Sequence, residues 1–344
     1  MSRLFIHAIN VHQGGGAVLF CDLILAIPID VETVVHVDAR LVLPQDLPNN
    51  IKVWRVEPTL FGRFASERIL SRKVGPSDCV LCFGNLPPLF KLSGKVVVFL
   101  QNRYLVDLGV SMGKLPIKTR TRIWLERAWL RSRSLNAHHF FVQTPSMQKL
   151  TEMQLSTPVI CAPFIPSRNV EQETVRLNQQ YDFLYVASAE PHKNHSILLD
   201  AWVLLAQEGL FPSLALTLEP KAAPDLCERI AKEVTSRRLH IFNLGILPHA
   251  KLLEQYRKSG ALIYPSSFES FGMPLLEARQ FGLPVLAPEL DYVRDLTDPE
   301  ETFDPQSAMS IARAVKRLLN IKGSIKTPVT AEEFLKRVLC KDFL

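Results

Sequence analysis

The sequence predicts an α/β protein of two domains, each a parallel sheet covered on both faces by helices, and three observations lead there. Short β-rich apolar runs alternate with helical patterns along the chain. The 344 residues are too many for one ordinary core and suit two. A polar stretch from Pro166 to Gln180, with Ser167-Arg168-Asn169 and Glu171-Gln172-Glu173, breaks the apolar pattern and reads as a linker between domains at 1–170 and 171–330. Strand and helix in alternation require crossover connections, which lay helices over both faces of a parallel sheet.

In the first half, strands are predicted at Leu4 to Ile9, Thr33 to Val37, Ile51 to Val56, Cys79 to Phe83, Val96 to Leu100, Phe140 to Gln143 and Val159 to Phe164. Helical patterns fall at Ala17 to Ile27 and Lys118 to Arg133. In the second half, strands are expected at Phe183 to Ala187, Leu214 to Leu218, His240 to Leu244, Ala261 to Tyr264 and Pro284 to Ala287. Helices are expected at Ile197 to Gln207, Leu226 to Ser236 and Ala308 to Leu319. Internal repeats and low-complexity tracts are absent.

Composition narrows the function classes. The six cysteines, Cys21, Cys79, Cys82, Cys161, Cys227 and Cys340, are too scattered for a secreted disulfide scaffold. Cys79 and Cys82 form a C-x-x-C, but on a strand an odd spacing points them to opposite faces, so buried thiols are expected rather than a metal site. No uncharged apolar run of membrane-spanning length occurs, and Met1 to Ile6 passes into strand pattern without a signal-peptide cleavage site, so a cytoplasmic location is expected.

The net charge of +6 is uneven, +9 over residues 1–170 and −3 over 171–344. Much of the basic excess lies between Lys118 and Arg133, where Arg120, Arg122, Arg127 and Arg131 accompany Trp124 and Trp129. Such a helix can rest on an anionic membrane surface, making the protein peripheral on the inner face; it can equally turn Trp124, Leu125, Ala128 and Trp129 inward and its arginines to water. No nucleic-acid-binding motif accompanies the charge, so nucleic acid is not an expected partner.

The chemistry concentrates in Pro265-Ser266-Ser267-Phe268-Glu269-Ser270-Phe271-Gly272-Met273-Pro274-Leu275-Leu276-Glu277. The apolar run before it is a strand, and Gly272 with Pro274 marks a helix start. Unpaired N–H groups and the helix dipole favour an anion such as a phosphate at Phe271, Gly272 and Met273. Glu269 on the loop and Glu277 in the helix flank that anion and suit sugar hydroxyls on either side of it. Ligands of open parallel sheets bind where loops leave the strands, which adds three further loops. One is Gly14-Gly15-Gly16, where glycine lets backbone approach a phosphate; another is Gln101-Asn102-Arg103; the third carries Lys193, a point charge for a diphosphate.

Glu269-x7-Glu277, with Ser270-Phe271-Gly272 between and Ala278, Gly282 and Pro284-Val285 after, resembles the retaining GT-B glycosyltransferases of family 4, the glycosyl transferases group 1. Tyr185 to Asn194 and Asn243-Leu244-Gly245 continue the likeness, which is strongest over about 183–320; in the first half mainly Gly14-Gly15-Gly16 and Phe141-Val142-Gln143-Thr144 echo it. The resemblance implies the GT-B fold, two Rossmann-like domains facing across a cleft, with residues 1–170 binding the acceptor and 171–330 the nucleotide sugar. A last helix within 331–344, beginning near Thr330, would pack back on the first domain.

It further implies transfer of a hexose, such as mannose or N-acetylglucosamine, from a nucleoside diphosphate to a hydroxyl of a glycan or lipid-linked acceptor with retention, in surface polysaccharide assembly. Glu269 and Lys193 would be the catalytic pair. Gly15, Gly16, Lys193, Ser270, Phe271, Gly272 and Met273 would hold the sugar and diphosphate, Glu277 and Leu247 the nucleoside, and Gln101 and Asn102 the acceptor side. No cofactor or metal is required on this reading, and no two aspartates stand two apart as metal-dependent transferases need.

The chain departs from the family pattern in three places. Ala187-Ser188 replace an arginine that often assists the lysine, His192 replaces a second arginine, and the amides of Gln101-Asn102 stand where relatives carry a histidine or acid. A phosphorylase, a nucleotide-sugar epimerase and a non-catalytic partner of the same fold therefore remain as alternatives.

Overall fold

The computed structural model describes residues 2–113, 115–164 and 178–321. Most of the expected linker, and the expected closing helix from Thr330, lie outside these residues. The first half runs β1 (Leu4–Ala8), α1 (Gly14–Leu25), β2 (Thr33–Asp38), β3 (Ile51–Val56), α2 (Leu60–Lys73), β4 (Cys79–Cys82), β5 (Lys95–Phe99), α3 (Ile117–Arg133), β6 (His139–Val142), α4 (Pro145–Glu152) and β7 (Val159–Cys161). The second runs β8 (Tyr181–Tyr185), α5 (His195–Gln207), β9 (Leu214–Leu216), α6 (Pro224–Arg237), β10 (Ile241–Asn243), α7 (His249–Arg257), β11 (Ser259–Ile263), α8 (Met273–Gln280), β12 (Val285–Pro288), α9 (Asp291–Arg294), β13 (Glu301–Phe303) and α10 (Ala308–Leu318).

Two parallel sheets result, ordered β3-β2-β1-β4-β5-β6-β7 and β10-β9-β8-β11-β12-β13. Each is Rossmann-like: strand order reverses between β1 and β4 in one and between β8 and β11 in the other, opening a crevice at the strands' carboxyl ends. Period-two alternation sorts the first sheet's residues onto two cores. Phe5 packs with Val80, Val98 and Phe140 under α2 and α3, whereas Ile6 and Ala8 pack with Phe20, Ile24 and Val37 under α1. A single cluster around Phe183, Trp202, Leu262 and Val315 fills the second domain.

Element boundaries differ from the sequence reading by one to three residues, and one strand was not expected. α1 begins at Gly14, not Ala17, so the glycines form its first turn; Gly14 supplies a positive φ of 70° after the extended Gln13. β13 was not expected: three residues beginning with Glu301 carry too little apolar pattern, and pairing with β12 specifies them instead. Trp124 and Trp129 also part company, the first exposed and the second donating its indole N–H to the Pro87 carbonyl at 3.0 Å.

Candidate functional site

The switch point of the second sheet explains why residues far apart in sequence meet. β8 and β11 are neighbours, so the loops leaving them, 186–194 and 264–272, run side by side over the crevice. They are sewn together at their backbones. The His192 carbonyl accepts from the Ser267 N–H at 2.8 Å, and the Asn194 side-chain amide Nδ2 donates to the Pro265 carbonyl at 2.9 Å. Asn194 takes the left-handed conformation that turns the chain into α5. From below, the Tyr185 hydroxyl donates to the Lys193 carbonyl at 2.6 Å and fixes where that side chain starts.

Lys193 and Glu269 pair directly, Nζ to Oε1 at 2.5 Å, with both side chains only 12% exposed. Tyr264, at the end of β11, donates its hydroxyl to the same Oε1 at 2.8 Å. Burial first, and Glu269 second, hold the Tyr264 phenol well above its usual pKa, so it remains a donor. Among the described residues, Oε2 of Glu269 accepts from no intramolecular donor, which leaves it for a ligand hydroxyl. Beside them His192 is lowered from its usual range by burial and then by Lys193, and it stays neutral near pH 7.

The helix start expected after Glu269 is present. Gly272 has φ of 84° and caps α8 without any side-chain cap, and among the described residues the N–H groups of Phe271, Gly272 and Met273 have no intramolecular acceptor. Unpaired N–H groups at a helix start, with the helix dipole behind them, are a favourable place for an anion, and here they lie in the loop that carries Glu269. Glu277 lies one turn into α8, largely buried, its oxygens taken by the Tyr256 hydroxyl at 2.7 Å and His249 Nε2 at 3.0 Å. His249 opens α7, and the 245–248 loop before it brings the half-buried Leu247 to the same side of the crevice.

Across the crevice the first domain presents its own switch-point loops. A Cβ on Gly15 would stand 3.3 Å from Met273 Sδ, so the glycine turn lies directly against the α8 start, and one on Gly16 would meet Gln101 Oε1 at 3.5 Å. Gln101 and Asn102 both give their backbone N–H to the Asn85 side chain, at 2.6 and 2.9 Å, and the Asn102 side chain caps the Tyr104 N–H. The following residue, Arg103, crosses to the second domain and reaches Glu269, Ser270 and Asp291. The predicted positions Gly15, Gly16, Lys193 and Glu269 to Met273 thus converge; Glu277 and Leu247 sit behind them with His249.

The partners Tyr264, Tyr256, His249 and Tyr185 were given no part in the site by the sequence, and Arg103 was named in its loop without a role of its own. Tyr264 had a readable signal, since it directly follows a strand at the switch point, where side chains reach into the crevice. The described residues include no group of three or more His, Cys, Asp or Glu side chains that could hold a metal ion, and none of their helices is long and apolar enough to cross a membrane.

Residues 167–333 match the family described as glycosyl transferases group 1. The serotype-specific mannosyltransferase WbdA of Escherichia coli is 31% identical over 139 residues, 40% of this chain and 17% of that protein. The O-antigen chain mannosyltransferase B of Escherichia coli is 28% identical over 47% of this chain and 41% of its own length. The chain thus spans less than half the length of each of these curated relatives. Among solved structures, the sucrose-phosphate synthase of Thermosynechococcus elongatus superposes with a TM-score of 0.69 at 18% identity, covering 93% of this chain and 90% of that one. The Anabaena HepE protein, solved with UDP and glucose, gives 0.62 at 15% identity over the same shares. The matched segment is thus similar to the glycosyl transferases group 1, and the chain has the GT-B architecture of two facing Rossmann-like domains.

Proposed function

We propose that the protein transfers a hexose from a nucleoside diphosphate sugar to an acceptor hydroxyl, with retention at the anomeric carbon. The observation that carries this is the convergence, on one crevice wall, of a lysine, a carboxylate with one oxygen free and three unpaired N–H groups at a helix start, free and unpaired among the described residues. Those are the groups a sugar diphosphate needs. The diphosphate takes Lys193 and the N–H groups of Phe271 to Met273; the sugar hydroxyls take Glu269 and Ser270. The ribose takes Glu277, with Leu247 beside the base. Gly15 and Gly16 close the opposite wall, and Gln101 and Asn102 line the acceptor side.

Chemically, the acceptor hydroxyl attacks the anomeric carbon from the face the diphosphate leaves. The C–O bond to the diphosphate breaks as the new glycosidic bond forms, and the hydroxyl proton passes to a departing phosphate oxygen. Lys193 and the α8 N–H groups stabilise the growing negative charge, so the reaction proceeds without a metal. Glu269 orients the sugar, and a closed crevice keeps water from competing.

The names of the mannosyltransferase relatives support mannose as the hexose, and that of the O-antigen chain mannosyltransferase supports a surface glycan as acceptor. α3 supports a peripheral seat on an anionic membrane at the cytoplasmic face. Trp124 is 66% exposed, and the neighbouring α2, joined to α3 by Arg63 over the Trp129 ring at 4.4 Å, adds Leu60 at 90%. Lys118 and Arg120 form no ion pair among the described residues, whereas Arg127 is occupied by the carbonyls of Tyr104 and Asp107. Reversing Lys118 and Arg120 to Glu is therefore the informative change, and it should abolish sedimentation with phosphatidylglycerol vesicles. Sedimentation unchanged by that reversal removes the membrane from the account.

The test of the reaction is a screen of nucleotide sugars for binding and acceptor-dependent turnover, with the anomeric configuration of the product read by proton NMR. An α product from an α donor is expected. Inversion, a requirement for inorganic phosphate, isomerisation without an acceptor, or loss of turnover in EDTA each contradicts a named part of the proposal.

A further inference from the structure

Arg103 lies in the loop after β5, on the first domain, yet most of its contacts belong to the second. Its backbone N–H donates to Ser270 Oγ at 3.1 Å, Nη1 reaches the Glu269 carbonyl at 3.4 Å, and the guanidinium lies over the Phe268 ring at 5.2 Å. Three consecutive residues of the loop that carries Glu269 are touched by one side chain and its own backbone. The fork then closes on Asp291, the first residue of α9, Nη1 to Oδ1 at 3.0 Å and Nη2 to Oδ2 at 2.9 Å. The remaining nitrogen, Nε, holds Asp107 at 2.9 Å on the home side.

This arrangement decides between two roles. Ala187-Ser188 leave the family's assisting arginine unfilled, and Arg103 is near enough to suggest a replacement from the opposite domain. Two carboxylates already balance its charge, however, and its side chain is only 12% exposed, so little positive potential is left for a phosphate. What the geometry supplies is a mechanical tie. Asp107 is itself braced, its Oδ1 accepting the Gly109 N–H and its carbonyl accepting from Arg127 of α3. At the far end of α9, Asp295 accepts the Ser146 N–H at the start of α4, so both ends of α9 are held by the first domain.

We propose that Arg103 is a positioning residue: engaging Asp291 across the crevice sets the 268–270 loop so that Glu269 adopts its working geometry only while the domains are joined. The claim rests on reading that loop as the sugar-nucleotide site. The donor is bound chiefly by second-domain groups, Lys193, Glu277 and the α8 start, so losing the tie costs turnover rather than donor affinity. Lysine cannot replace arginine here, because one ammonium cannot hold Asp291 through two parallel bonds and Asp107 through a third.

Arg103→Lys and Asp291→Asn preserve size, and thermal unfolding monitored by circular dichroism verifies that each folds. Each should lower kcat by about 10- to 100-fold while the nucleotide-sugar Kd from calorimetry stays within about threefold, and the double variant should be no worse than the poorer single. Hydrogen exchange of the free protein, which needs no substrate, should show the hydrogen-bonded amides at the two ends of the loop, Ser267 on the His192 carbonyl and Leu275 on the Gly272 carbonyl, exchanging at least about tenfold faster in both variants. The tie is overturned by wild-type kcat in either variant, by donor affinity falling in step with kcat/KM, by multiplicative effects in the double variant, or by unchanged exchange. A wild-type protein that binds no nucleotide sugar sinks the functional reading instead, and the exchange result still decides the tie.

Discussion

Replacing Glu269 by Gln separates two effects that the wild-type site sets against each other. Lys193 is held at 2.5 Å by Glu269, and a diphosphate entering the crevice must draw the ammonium away from that carboxylate. Exposed ion pairs couple by about 0.2–1 kcal/mol and breaking a fully buried one costs about 3–5 kcal/mol, so this largely covered pair at a cleft wall falls between, at about 1–2 kcal/mol. Gln keeps the shape and an acceptor for the Tyr264 hydroxyl but removes the competing charge. UDP or GDP, whichever the wild type binds, should therefore bind Glu269→Gln about 5- to 30-fold more tightly. The sugar loses a charged acceptor over the same change, about 1.5–3 kcal/mol in the transition state, so transfer should fall by about 10- to 150-fold. Titration calorimetry with the nucleotide and a transfer assay read the two effects independently. Nucleotide affinity that is unchanged or weaker refutes the competition between Glu269 and phosphate for Lys193.

Three further outcomes follow from the same structure. Lys193→Ala should lower kcat/KM by about 30- to 900-fold, the 2–4 kcal/mol of an electrostatic donor, and wild-type turnover would remove its role. Gly272→Ala places a β-carbon on a residue at φ 84°, 3.1 Å from Leu275 Cδ1, so calorimetry should show a melting temperature lower by about 3–6 °C; an unchanged value would mean the cap relaxes without cost.

Acid should destabilise the first domain through His7 and His36, which share the Ser66 hydroxyl beneath the sheet. Burial lowers His7 well below its usual range and His36 to about 4, so stability is intact above the unfolded value of about 6.5 and is lost as pH falls from there. Glu67, raised by burial to about 7, opposes this, since its contribution is present at low pH and lost as pH rises toward 7. Glu126, also raised by burial, opposes the two imidazoles in the same sense, so the comparison with a variant carries the test: His36→Asn should remove up to about 1.4 kcal/mol per pH unit of the loss on acidification between about pH 6.5 and 4.5. A melting temperature that falls as steeply in that variant contradicts the assignment.

Sequence pattern revealed the β-α alternation, hence both sheets, because buried parallel strands are short apolar runs whose spacing survives without any knowledge of partners. It failed at β13, whose burial comes from β12 rather than from its own residues, and at the start of α1, where glycines hide a helical turn. At the site, Lys193 and Glu269 to Met273 were legible because loop and helix-start chemistry is local. Their mutual ion pair was not, since residues 76 apart meet only through the adjacency of β8 and β11. The Arg103 tie to Asp291, across 188 positions, depends on how two domains face each other, which no periodicity records. The amphipathic reading of α3 was half resolved: helical spacing could not tell that Trp129 turns inward to Pro87 while Trp124 faces solvent.

A crystal structure of the protein with its nucleoside diphosphate bears most directly on the sugar-nucleotide reading. The expected map has the β-phosphate within hydrogen-bonding distance of Lys193 Nζ and the N–H groups of Phe271 to Met273, Glu269 released from its ion pair, and the ribose hydroxyls on Glu277. A nucleotide bound elsewhere, or one seated in the crevice with Lys193 still on Glu269 and the α8 start unoccupied, contradicts it.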